Sequence, residues 1–263
     1  MKTYFILASY NIRSQLKYPL DFTIQMIIWF IYALVPFLAI ALLMQQFPVV
    51  GEWDIYKVAF SYGIIGASYD FARLLGRGFD NFHAYTKSGQ LDVFYIRPSS
   101  LIVQVVGNNV FLRRIAGILN YILILIFAYR NLMFDFNVGL TIISITTLFV
   151  AMFILFFSLL LLYATTCLFT IDRNGFSDVV VDRVFNLSFL PISEMPKVLL
   201  IIFVYIIPIY FIFYTPINSL FLGANNVDLI LKLVRSLSIA VLFFIISTAI
   251  FKKSLSLYSS TGN

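Results

Sequence analysis

Charge is what this sequence has least of. Asp, Glu, Lys and Arg together make up 11% of its 263 residues, where a soluble domain of this size carries about 25%. A water-solvated exterior is therefore excluded, and lipid must cover the outside of the fold. One cysteine, Cys167, lies inside an apolar run, so neither a disulfide framework nor a thiolate metal site can be built on it. Its plain reading is a small buried hydrophobe. One histidine, His83, removes most histidine-based metal chemistry as well. No G-x-x-x-x-G-K-[ST] run is present to cradle a phosphate. Neither H-E-x-x-H nor G-x-S-x-G occurs, which removes the easiest hydrolase readings. No catalytic residue, metal ligand or bound cofactor is expected on this chain.

Apolar and aromatic side chains are abundant: 61% of residues are hydrophobic, with 29 Phe and 16 Tyr. Amphipathic rings collect at bilayer interfaces. The expected class is an all-α polytopic membrane protein, one transmembrane domain over 1–263 with six spans. Residues 1–19 mix Lys2, Arg13 and Lys17 with apolar residues at loosely helical spacing, suiting a helix in the headgroup layer. The stretch behind them is too long for a signal peptide, and no small-residue cleavage site follows. The first span, 22–44, carries no charge, and Pro36 inside it is expected to kink it. The second, 55–75, holds Lys57, Asp70 and Arg73 near its ends. On it Ala59, Gly63 and Ala67 form a small-residue stripe that lets another helix approach closely. Asp70 and Arg73 can pair on one helix face, or stand as a screened pair at the membrane boundary. A polar interval, 76–107, precedes the third span at 109–129. The fourth, 139–171, has no charge and must tilt or overrun the bilayer. Next come 175–192, interrupted by Pro191, and 197–214, with Pro208 inside. The last span is 227–251, ending at Lys252 and Lys253.

The net charge of +6 reads as topology and not as a nucleic-acid footprint. With the N-terminus in the cytoplasm, only Lys57, Arg130, Lys197, Lys232 and Arg235 of the 18 basic residues fall outside. That bias places both termini in the cytoplasm, with the protein in the cell membrane. An ion-coupled carrier would place a carboxylate or broken helix near the midplane. Asp70 and Asp182 are the nearest candidates, and both lie close to the cytoplasmic boundary.

The polar interval contains Gly78-Phe79-Asp80-Asn81-Phe82 and Gly89-Gln90-Leu91-Asp92-Val93-Phe94-Tyr95-Ile96-Arg97-Pro98, then an apolar segment with Gln104. This G-x-L-D-x-x-x-x-R-P run resembles the loop after the second span of ABC-2 type permeases, in the subgroup whose membrane subunit is a separate chain from its ATPase. Leu190-Pro191-Ile192, Met195-Pro196, Ile207-Pro208 and Thr215-Pro216 resemble the Pro-punctuated segment between the family's fifth and sixth spans. The resemblance implies an exporter permease forming half of a translocation pathway. A second permease, identical or related, would complete it, and a pair of cytoplasmic ATPases would carry ATP and Mg²⁺. It implies a coupling helix in 76–107, where Phe79, Phe82, Tyr85, Leu91 and Phe94 would offer an apolar face and Asp80, Lys87, Asp92 and Arg97 the charges that fix register. The alternative is an ordinary interfacial loop. The resemblance also implies that 197–214 is a re-entrant hairpin and 175–192 the fifth span; the alternative makes 197–214 the span itself. On the first span Gln25, Trp29 and Tyr32 share one face, suiting a pathway or subunit interface, or simple anchoring and packing. Two other functions stay open, an ion-coupled secondary transporter and a non-transporting structural membrane protein.

Overall fold

The computed structural model describes residues 2–46, 49–50, 52–169, 180–191, 195–223 and 225–257. Helix α1 (Lys2–Leu16) is followed by α2 (Pro19–Gln46), a short antiparallel hairpin of β1 (Val49–Val50) and β2 (Trp53–Asp54), and α3 (Ile55–Asp80). Three short helices come next: α4 (Phe82–Lys87), α5 (Gln90–Ile96) and α6 (Leu101–Asn108). The long α7 (Arg114–Asn131) and α8 (Val138–Phe169) then precede α9 (Asp182–Ser188). Helix α10 (Lys197–Ile201) leads into a bent segment, after which α11 (Thr215–Phe221) and α12 (Asn226–Ser256) complete the order.

Among the described residues three helices, α2, α8 and α12, are long and apolar enough to cross a membrane. A fourth crossing is added if Lys197–Ile206 and Tyr210–Phe221 form one broken span. At 32 residues, α8 is about 48 Å long at 1.5 Å per residue, well beyond a hydrocarbon core of about 30 Å. Helix α2 stays continuous through Pro36. Carbonyls in the turns before that proline take bonds from other helices: Tyr62 Oη donates to Ala33 O at 2.6 Å, and Asn120 Nδ2 to Phe30 O at 3.2 Å.

Helix α3 is the axis of the bundle. Every residue from Val58 to Asp70 is buried, because α7 and α8 flank it while α2 leans on it. The Ala59, Gly63 and Ala67 stripe serves this packing inside the chain. A side chain at Gly63 would overlap Leu125 of α7, and one at Gly66 would overlap the Tyr121 ring. Where one helix presents small residues, the partner's bulky ones fill the groove. Helix α2 contrasts with this, burying only Ala33 and Met44 and leaving most of its apolar surface outward.

The bend after α10 follows from Pro208. A residue before proline is pushed out of the helical region, and Ile207 is extended at φ −120°, ψ 94°. The two arms meet at 81°, each drawn into a wider π-type turn, at Ile202–Ile206 and Tyr210–Tyr214. Of the fifth-span expectation, residues 175–179 and 192 lie outside the described residues. Within it, α9 is a seven-residue helix.

Candidate functional site

At the end of the bundle where α3 finishes and α2 and α7 begin, four arginines and three aspartates meet. Asp70 of α3 pairs with Arg114 of α7, both almost fully buried. Arg73 pairs with Asp80 at 3.4 Å and with Asp182 of α9 at 2.8 Å, while Arg77 reaches Asp80 at 3.2 Å. Tyr69 Oη donates to Asp182 at 2.5 Å. The pairing expected between Asp70 and Arg73 is thus replaced by pairings that tie helices together. With 2% and 6% exposure the two are not a screened boundary pair either. Gly117 makes the first pair possible, because a methyl there would overlap the Asp70 carboxylate.

Helix α2 closes this charged seam. The Arg114 guanidinium lies 4.0 Å from the centroid of Trp29, and Arg113 donates to Gln25 Oε1 at 2.5 Å. Arg113 also stacks on Phe111 at 3.6 Å. Of the face read from the first span, Gln25 and Trp29 are engaged within the chain, whereas Tyr32 is 64% exposed. Cations over aromatic faces are attracted by the ring quadrupole, more so when desolvated. The seam joins α2, α3, α7 and α9, four elements far apart in sequence.

The polar interval continues from α3 as a platform of three short helices. Gly89, at φ 69°, makes the left-handed turn that separates α4 from α5. Phe79, Phe82, Tyr85, Leu91 and Phe94 are all buried within the chain. Phe79 and Phe82 meet Phe251 near the end of α12, and Tyr85 packs on Phe94 at 5.2 Å. Gln104 of α6 donates to Phe94 O and Ser99 O, both at 2.9 Å, fastening α6 to the end of α5. Asn109 donates to Tyr85 Oη. Burial raises the Tyr85 phenol above its ordinary pKa, while hydrogen bonds with Asn108 and Asn109 act the other way.

This packing changes which residues the platform presents. The five apolar side chains expected to form a docking face are covered in this conformation: Phe79 and Phe82 pack on α12, and Tyr85 and Phe94 on each other within the platform. Asp80 is likewise buried, in the seam. Lys87 and Arg97 are exposed and Asp92 half-buried, and beside them stand Val93, Tyr95 and Ile96, exposed by 46%, 47% and 85%. The outward apolar trio lies one or two positions from the buried residues in the same short helix. Sequence spacing alone could not say which face turned inward. Arg113 and Arg114 were legible only as topological charges; the signal that pointed further was Gly117, one turn after Arg114.

Buried charges paired between helices, a bundle with an apolar exterior and an all-helical fold define a multi-pass membrane protein. Its family is equally plain. The model of the ABC-2 family transporter proteins matches residues 30–262, and the chain belongs to that family. It is thus a permease component of ABC transport, a non-enzymatic membrane part. No curated relative and no solved structure matches the chain.

Proposed function

We propose that this chain is the permease subunit of an ATP-driven exporter and receives its energy from a separate cytoplasmic ATPase pair. The observation that carries the reading is the α4–α6 platform. It packs on α3 and α8 and is joined to α12 by the buried Phe82 on Phe251, yet presents Lys87, Val93, Tyr95, Ile96 and Arg97 outward, with Asp92 half-buried among them. A force applied to such a platform moves α3 with it, and the seam passes that movement to α2, α7 and α9. ATP and Mg²⁺ belong to the partner on this reading. The platform faces the cytoplasm together with both termini, in the cell membrane. Helices α3 and α7 count as spans despite their charges, because Asp70, Arg73, Arg77, Asp80 and Arg114 are paired inside the bundle and Lys57 and Arg130 stand at the opposite helix ends. With the expected fifth span at 175–192 this makes six crossings, and the segment bent at Pro208 dips in and returns. A second permease, identical or related, supplies the other half of the pathway, and the outward face of α2 is available to it.

Co-purification tests the reading. An affinity-tagged chain is expected to bring down a soluble chain containing a phosphate-binding loop. Val93→Glu with Ile96→Glu should abolish that capture while leaving the thermal unfolding of the permease within a few degrees of the parent. Phe82→Glu should lower stability instead. Undiminished capture by the double variant would remove α5 as the docking element.

A further inference from the structure

At the end of the bundle away from the platform, a cavity of about 400 Å³ opens between the bent segment and α12. Tyr210, Tyr214, Thr215 and Asn218 line one wall, and Lys232 and Arg235 the other. Its hydrogen-bonding inventory is one-sided. The Asp228 carboxylate is engaged by Lys232 at 2.7 Å. The Asn218 carbonyl accepts from the Trp53 indole at 2.9 Å, which leaves the amide N–H groups of Asn218 for the cavity. The Ser219 hydroxyl accepts from Lys232 at 2.7 Å, and that of Thr215 from Arg235 at 2.9 Å. What remains is a surplus of donors, the Asn218 amide N–H groups and the other N–H groups of Arg235, beside two phenols that can donate as well as accept. Among the described residues no carboxylate pairs with Arg235 within 4.0 Å. Arg235 rests on the Phe211 ring at 5.3 Å and feels the Asp228 carboxylate only at longer range. A donor-rich cavity whose guanidinium makes no ion pair among the described residues suits an anion, and the planar fork suits phosphate oxygens.

Position narrows the ligand further. Arg235 and Lys252 bracket the charge-free part of α12 and lie about 25 Å apart at 1.5 Å per residue. That is close to a hydrocarbon thickness of about 30 Å, so Arg235 stands at headgroup depth on its side. Directly along the helix from it, Ser238, Leu242 and Ile245 are exposed on the same face. Headgroup chemistry and an apolar track are therefore continuous. We infer that this cavity binds the phosphate of an amphiphile, with the ligand's acyl chains lying along the outer face of α12.

Native mass spectrometry of the purified chain, without an ATPase, tests the inference independently of the coupling reading. Phosphatidylglycerol is expected to be retained at one per chain, at least tenfold more strongly than phosphatidylcholine. Arg235→Gln should erase that preference, and Lys232→Gln should weaken it, each with parental thermal unfolding. Arg235 is exposed and Lys232 half-buried, so neither change opens the core, and Arg235→Lys should restore part of the preference. Equal retention of both lipids by the parent, or an unchanged preference in Arg235→Gln, would overturn the site. Displacement of phosphatidylglycerol by equimolar inorganic phosphate would overturn the amphiphile assignment in favour of a free anion.

Discussion

Gly117 shows how much can rest on a hydrogen atom. Its missing side chain is the space that the Asp70 carboxylate occupies as it meets Arg114. Gly117→Ala should therefore force the pair apart and cost about 1–3 kcal/mol, a typical overpacking penalty. This is measurable as a lower unfolding midpoint in detergent. Gly139→Ala is the matched control, since a methyl there meets only Asn137 Oδ1 at 3.7 Å, and it should leave the midpoint unchanged. The pair itself belongs to a different energetic class. Removing one partner strands a buried charge and costs about 3–5 kcal/mol, whereas removing both costs much less. Arg114→Gln is expected to be more damaging than Asp70→Asn with Arg114→Gln together. A double variant as unstable as the sum of the singles would show that the two side chains do not act as a pair.

Between elements, hydrophobicity was legible and partnership was not. Runs without charge announced α2, α8 and α12 directly, because lipid-facing helices carry their environment in their composition. The same reading placed spans at 55–75 and 109–129, where α3 and α7 lie, but it could not show that Asp70 of one faces Arg114 of the other. Proline was the better guide to the bent segment, since Pro208 constrains Ile207 whatever surrounds it. The direction taken by the two arms is a separate matter and is open to chemistry. Single cysteines at Lys197 and Leu222, both exposed, in a chain with Cys167→Ser, should react with an impermeant maleimide from the same side. Labelling from opposite sides would make the segment a crossing.

For the molecule as a whole, the polar interval gave away its importance in the sequence and concealed its orientation. Its motif pointed to the family, yet the buried and exposed members of α5 alternate so closely that only packing against α4 and α6 separates them. Orientation in the membrane has its own test. A fluorescent protein that matures only in the cytoplasm, fused after Asn263, should glow, and alkaline phosphatase at the same place should stay inactive. The reverse pair of results would invert the topology. The seam described above also bears on how the chain is made. Alone in a bilayer, α3 would expose Asp70 and Arg73 to hydrocarbon at about 2.5–3.5 kcal/mol for each charge near the helix centre. Arg73 already has Asp80 in its own helix, but Asp70 finds its partner only when Arg114 arrives 44 residues later. On the six-span reading, insertion is consequently expected to be concerted, with α3 waiting at the insertion machinery, or at the interface, until α7 has been synthesised, and the two entering lipid as a hairpin.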